Sequence, residues 1–264
     1  MEGISQEAIS LAGHLKLNNL ILIYDNNNIS IDGSTDLAFS DNTNLRFKSV
    51  NWEVHSGKGH DHKNIYKLLK KAQVSKVPCL LNFKTTIGFG SPNKSAKASS
   101  HGSPLGSEEV KLTRSKLSWN EKPFQIPDKL LKIWRNSSTK NLQIYKKTKS
   151  ISHTTLSNKD IDKLFSKIEI DLKDFKSDQA TRKSSEAILH YFKEDHSILG
   201  GSADLTGSNN TKGKQMTVLD SVNTTGQYIH YGVREHGMAA IMNGIAATKI
   251  YKTYSGTFLS FADY

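Results

Sequence analysis

The groups able to do chemistry in this sequence are a run of side-chain amides, a loop histidine, an arginine with hydroxyl residues, and a glutamate. Asp25-Asn26-Asn27-Asn28 places three consecutive asparagines after a short apolar run. Asparagine is short, neutral and tolerant of left-handed backbone, so it suits a turn. Its carbonyl oxygen also suits a hard cation such as Mg²⁺. His101 lies in a loop rich in Gly, Ser and Lys; by itself such a histidine reads as a surface residue. Arg182 offers a planar fork suited to a phosphate, or simply a solvated charge at a helix start. In Gly200–Asn209, GGSADLTGSN, small residues and hydroxyls can turn backbone N–H groups toward an anion. Glu235 opens an apolar helix, where a carboxylate is favourable to the helix dipole. Phe258, Phe261 and Tyr264 recur every third residue, a stripe that by spacing alone reads as core.

The elements that must hold these groups follow from periodicity. Ile4, Ala8, Ile9, Leu11, Ala12 and Leu15 fall at helical spacing, and Leu20 to Tyr24 reads as a buried strand leading to the asparagines. Asp36 to Ser49 is polar and is expected to cover the strand ends. Asn51 to Val54 reads as a short strand and Gly57 to Asp61 as a turn, with Asp61 capping a helix to about Ala72. Pro78 to Phe83 is the next buried strand. This alternation implies parallel strands joined by right-handed crossovers, and no internal repeat is visible. Lys84 to Gly106 is a long loop of the kind that carries function or disorder. Helical patterning returns over Ser107–Arg135, where Leu130, Leu131 and Trp134 share a face. Asn136–Lys159 reads as linker, and a helix is expected from about Asp160 to Phe175, with Ile161, Leu164, Phe165, Ile168 and Leu172 inward. Further on, Ser197–Leu199 and Ile250–Tyr254 read as strands, and a helix with Met238, Ile241 and Ile245 on one face follows Glu235.

Several of these stretches resemble one known family. MEGIS-E-A-SLAGHL with YDNNNISIDG, then KTTIGFGS and SHGSPLG, then TRKSS, GGSADLTGSN, YGVREHGM and TFLSF resemble the transketolases. The similarity spans nearly all of residues 1–120 and 177–264, leaving the Lys-rich middle unsupported. It implies an α/β, parallel-sheet thiamine-diphosphate-binding fold. Residues 1–120 would be the C-terminal part of the diphosphate-binding domain and 121–176 a Lys-rich linker with helices. Residues 177–264 would be the N-terminal part of the pyrimidine-binding domain.

The resemblance also implies roles. Asn27 and the Ile29 carbonyl would ligate a divalent cation (Mg²⁺, Ca²⁺ or another) that holds thiamine diphosphate. His101 would touch both cofactor and substrate hydroxyls and assist proton movement. Arg182 and Ser208 would bind the sugar phosphate, with Gly207 standing where the family has proline. Glu235 would hydrogen-bond the aminopyrimidine ring, which requires a carboxyl group kept from bulk water. Phe258, Phe261 and Tyr264 would sandwich that ring, Phe261 making the principal stacking contact. The implied activity moves a two-carbon ketol unit from a ketose phosphate to an aldose phosphate, in the pentose phosphate pathway. The implied assembly is a homodimer with the cofactor between subunits and Glu2 near their interface.

The resemblance also predicts a fragment. The family's Gly-Asp-Gly aspartate and earlier histidines would lie upstream of Met1, and further substrate-binding His, Asp and Arg residues beyond Tyr264. Two alternatives accompany this reading. One is a non-catalytic remnant binding sugar phosphate or cofactor weakly. The other is a sister thiamine enzyme such as a deoxyxylulose-phosphate synthase, against which the SHGSPLG loop and the Arg182/Ser208 pair argue.

Composition bounds the rest. A chain of 264 residues that is 36% hydrophobic can bury a sizeable core. Its single cysteine, Cys79, lies in an apolar run; it excludes an internal disulfide framework and reads as a small buried hydrophobe. No signal peptide opens the chain and no apolar run approaches the roughly 18 residues of a membrane span, so the expected setting is cytoplasmic, with no membrane partner. The formal charge of +11 is spread among Asn, Ile and Ser residues without a nucleic-acid-binding signature. It reads as solvated surface able to gather phosphorylated substrates, not as a nucleic-acid interface.

Overall fold

In the computed structural model, residues 3–148, 157–171, 178–192 and 197–262 are described. The chain divides into two compact units, one of Lys16–Lys146 and one of Met1–Leu15 with Lys147–Tyr264.

The Lys16–Lys146 unit is built on a parallel sheet of β1 (Ile21–Asn26), β2 (Glu53–Lys58) and β3 (Cys79–Lys84), in the order β1-β3-β2. Its central strand is the apolar run read from sequence. Leu80 packs on one face, while Cys79, Leu81 and Phe83 pack on the other with Ala72, Ile65, Leu68 and Leu69. These last four belong to α3 (His62–Ala72), whose N-cap Asp61 accepts hydrogen bonds from the Lys63 and Asn64 amides. That cap satisfies two N–H groups that no helical turn can reach.

Three local expectations change. Among the described residues β1 is an edge strand rather than a buried one: it pairs with β3 alone there, and Ile23 is 57% exposed. Trp52 is not in a strand; it lies buried with its ring edge-to-face against Phe47 of α2 (Thr43–Ser49), and β2 starts one residue later. Gly57 belongs to β2, not to a turn: it pairs in register with Phe83, and its missing Cβ leaves room for Asn64 and Leu68 of α3. The polar segment after the asparagines carries a 3₁₀ turn at Thr35–Leu37 before α2. Beyond the long loop come α4 (Ser107–Lys116) and α5 (Asp128–Thr148). The latter runs through much of what reads as linker, since Leu, Lys, Gln and Asn continue a helix without any apolar stripe to announce it.

The other unit holds a second parallel sheet, of β4 (Ile198–Ser202), β5 (Tyr228–His230) and β6 (Lys252–Thr253), ordered β5-β4-β6. Its core joins Leu199, Ala203, Ile229, Tyr231 and Met238 to Leu11 and Leu15 of the N-terminal segment. Thus α1 (Ile4–His14) packs with α9 (Glu235–Ala247), whose Ile241, Met242 and Ile245 line the same cluster. The unit also contains α6 (Asn158–Asp171), α7 (Thr181–Leu189) and the short α8 (Thr206–Asn209). Leu172 to Phe175, read as the end of the sixth helix, lie outside the described residues. No helix among the described residues is long and apolar enough to cross a membrane.

Candidate functional site

In each parallel sheet, the segments leaving the carboxyl ends of the strands emerge at one edge, where open α/β sheets collect ligands. In the Lys16–Lys146 unit that edge carries the asparagine turn after β1, His60 after β2 and the Lys84–Gly106 loop after β3. The Asn27 side-chain oxygen accepts a hydrogen bond from the Ile29 amide at 2.9 Å, and Asn28 takes left-handed backbone with φ +63°. This Asx turn presents Asn27 and Ile29 together. An amide oxygen has two lone pairs, so Oδ1 can keep the turn bond and still ligate a cation.

The loop after β3 is tied to the same edge. The Thr85 hydroxyl donates to Asp25, the Thr86 amide donates to His60 Nε2 at 2.9 Å, and the His60 ring stacks on Phe89 at 3.9 Å. Farther along, Glu109 of α4 anchors the loop: its carboxylate accepts from the Ser91 hydroxyl, the Asn93 amide at 2.8 Å and the Asn93 side chain at 2.9 Å. Those bonds, the Ser91 hydroxyl foremost, hold the Glu109 pKa down to about 2. Gly88 and Gly90 take positive φ within this anchored segment. His101 follows a 3₁₀ turn at Ala98–Ser100, with its amide bonded to the Ala98 carbonyl at 2.8 Å and its side chain exposed.

In the second unit the carboxyl edge carries α8 after β4, the head of α9 after β5, and the Phe258 turn after β6. Glu235 is the first residue of α9 and is half-buried. The helix head is held from outside: Glu7 Oε2 accepts from the Gly237 amide at 2.6 Å. Arg234 donates to the Tyr231 carbonyl at 2.7 Å and to the Ser10 hydroxyl at 3.0 Å. Glu7, Ser10 and Arg234 are positioning residues that sequence reasoning did not single out, because the contacts span more than two hundred residues and leave no local pattern.

Arg182 and Ser208 are both exposed, on α7 and α8. Asn210, just past α8, donates to Glu186 of α7 at 2.8 Å and so ties the two helices' surroundings together. Phe258 and Phe261 stack at 6.3 Å with planes 19° apart, and they are 44% and 42% exposed. These two rings are therefore not core; they form an open aromatic face. Tyr264 and Glu2 lie outside the described residues.

One reading of the sequence is corrected. Gly200 and Gly201 are not a phosphate-facing turn but the fully buried middle of β4, where the Gly200 amide donates to Gln227. A Cβ at Gly200 would fall on the Tyr254 ring, and one at Gly201 on the Tyr231 ring. These glycines admit tyrosines rather than an anion. The chain leaves the strand through Ser202, whose hydroxyl donates to Gly256 and accepts from Leu205.

The comparisons with known proteins agree with this two-sheet layout. Residues 1–164 match the family model described as transketolase, thiamine diphosphate binding domain, and residues 177–264 match transketolase, pyrimidine binding domain. Transketolase 2 of Escherichia coli is 42% identical over 287 aligned residues, covering 100% of this chain and 42% of the relative. The transketolase of Sinorhizobium medicae is 38% identical, again across the whole chain and 40% of the relative. Among solved structures, the Campylobacter jejuni transketolase superposes with a TM-score of 0.83 at 40% identity, and that of Leishmania mexicana with 0.84 at 31%. Each match covers the whole chain and 42% of the solved structure. The chain thus spans about two fifths of the length of the relatives it matches.

Proposed function

The chain belongs to the transketolase family, and from that premise we propose that it supplies part of a ketol-transferase site. The reaction moves a two-carbon unit from a ketose phosphate to an aldose phosphate. The observation that carries this reading is the head of α9, where Glu235 is half-buried and the helix is braced by Glu7 and Arg234. Such bracing keeps a carboxyl group at one place and one angle, which a proton-handling residue requires.

The residues fit the family's cofactor, thiamine diphosphate with a divalent cation. Asn27 and Ile29 form an all-oxygen, uncharged pair suited to Mg²⁺ or Ca²⁺. Phe258 and Phe261 offer an exposed aromatic face suited to the pyrimidine ring. When bound, the cofactor supplies the carbanion chemistry that breaks and remakes the carbon–carbon bond. Glu235 would hydrogen-bond the pyrimidine ring. His101, exposed on a loop whose base is pinned by Thr85, Thr86 and Glu109, binds substrate hydroxyls and relays protons. Arg182 and Ser208 hold the distal phosphate.

In this reading residues 1–120 belong to the diphosphate-binding domain, 121–176 to the link and 177–264 to the pyrimidine-binding domain. The working form is a homodimer. A free cysteine at position 79 suits a reducing compartment such as the cytoplasm.

The test is calorimetric titration of thiamine diphosphate with Mg²⁺ into the purified chain, followed by a ketose-dependent transfer assay. Saturable, Mg²⁺-dependent binding that weakens at least tenfold in Glu235→Gln supports the reading. Cofactor binding indifferent to both Mg²⁺ and Glu235 overturns it.

A further inference from the structure

The opposite, amino end of the first sheet carries a cluster that the ketol-transfer reading does not use. Glu53 and His55 stand two residues apart on β2, and Cys79, in register with Glu53, starts β3. In a parallel pair, this spacing puts all three side chains on one face. It is the face covered by α3, where Cys79 is 1% exposed and packs on Ala72. One ligand-capable atom from each residue lies within 4.8 Å of the other two.

The details point to a ligand. His55 Nε2 is 2.8 Å from Glu53 Oε1, and the Ser75 side chain and this imidazole together hold the Glu53 pKa down. The atom is out of contact with solvent, on a side chain only 10% exposed, and faces the Glu53 carboxylate. An imidazole nitrogen and a carboxylate oxygen held this close beside a thiol form a donor set that a cation can share. Cys79 Sγ is 4.0 Å from the same carboxylate, makes long contacts to the Ala72 and Val77 carbonyls, and has the Ser75 side chain as a further hydrogen-bond partner. Glu53 is about one-third exposed, which leaves a route from solvent.

We propose that Glu53, His55 and Cys79 form a binding site for a borderline-soft divalent cation of the Zn²⁺ class. Mixed S, N and O donors favour such an ion over Mg²⁺ or Ca²⁺, which take oxygen alone. Ligand bonds of about 2.0–2.3 Å put tetrahedral ligand atoms roughly 3.3–3.8 Å apart, so side-chain shifts of about an ångström close the site. The thiol proton leaves to solvent as the thiolate forms, and the imidazole proton moves to Nδ1. Thiolate, carboxylate and a dipositive ion then sum to zero charge, which suits a half-buried place. Lys71 Nζ lies 3.5 Å from His55 Nδ1 and opposes the ion; it is an exposed side chain on the last turn of α3 and has room to swing away. The fourth position is left for water. The ion would clip β2 to β3 at the end of the sheet remote from Asn27.

The test is titration of Co²⁺ into the purified chain under a non-thiol reductant, followed by displacement with Zn²⁺. One equivalent should produce a thiolate-to-cobalt charge-transfer band in the near ultraviolet that Zn²⁺ removes. Cys79→Ser should abolish the band. His55→Gln and Glu53→Gln should keep it but weaken binding at least tenfold, and Lys71→Met should tighten binding. Far-ultraviolet circular dichroism checks each variant; should Cys79→Ser fail to fold, His55→Gln, which keeps a polar side chain in place of the imidazole, carries the decision. No band at saturating Co²⁺, a band that survives in folded Cys79→Ser, or unchanged affinity in His55→Gln overturns the proposal.

Discussion

Glu7 and Gly237 stand 230 residues apart in sequence, yet the Glu7 carboxylate accepts the Gly237 amide at 2.6 Å. That amide is one of the first N–H groups of α9, which lack partners within their own helix. A carboxylate there satisfies the donor and interacts favourably with the helix dipole. The bond therefore fastens α1 to the turn that presents Glu235. Glu7→Ala should cost about 1.5–3 kcal/mol in urea unfolding, the range for a hydrogen bond to a charged group. Gly237→Ala brings a Cβ to 2.8 Å from Glu7 Oε2 and should disturb the same bond. In a double-mutant cycle the two losses should not add, since each removes one contact.

The β4 glycines should tolerate no side chain. Because a Cβ at either would collide with a packed tyrosine ring, Gly200→Ala and Gly201→Ala should each cost about 1–3 kcal/mol or more, by overpacking. Tyr254→Leu should recover part of the loss in Gly200→Ala but none in Gly201→Ala, whose collision is with Tyr231. Chemical unfolding of the two double variants decides this.

Stability at acid pH should depend on Glu109. Its folded pKa of about 2 lies below the ordinary glutamate value of 4.5. The unfolded chain takes up the proton first as pH falls, so the contribution is whole above about 4.5 and is lost on descending through about 2. Urea unfolding across that window should show wild-type chain losing more stability than Glu109→Gln. Identical pH profiles would mean that the bonds from Ser91 and Asn93 do not anchor the loop.

Phe261→Ala should separate binding from folding. The ring is 42% exposed, so its removal should shift the unfolding midpoint little. Loss of an aromatic stack worth about 0.5–1.5 kcal/mol should weaken thiamine diphosphate binding by up to about tenfold in calorimetry. Equal binding in wild type and variant would remove the ring from the cofactor's path.

Asn27 serves both its turn and the cation in the proposed site. Asn27→Ala should raise the Mg²⁺ concentration needed for cofactor binding, whereas Asn28→Gly, which relieves φ +63°, should leave it unchanged. Titrating Mg²⁺ at fixed thiamine diphosphate reads both.

The elements were legible where one local rule sufficed. Asp61 announces its helix because a cap acts within three residues, and Cys79–Phe83 reads as a strand because a central parallel strand is apolar on both faces. Asn27, His101, Arg182 and Glu235 were legible as site candidates through the motifs around them. Helix α5 was less so, because a helix with few inward residues carries no stripe.

The alternation of strands and helices, the asparagine turn and the family can all be read from the residues in order. Each is written in neighbouring residues, through dihedral preference, capping or side-chain period. The folded structure adds that Gly200 and Gly201 make room for tyrosines, that Phe258 and Phe261 are open, and that Glu7 holds the head of α9. It alone gathered Glu53, His55 and Cys79 on one face. These depend on strand register and on contacts across hundreds of residues, and such distances are set only when the chain closes on its core.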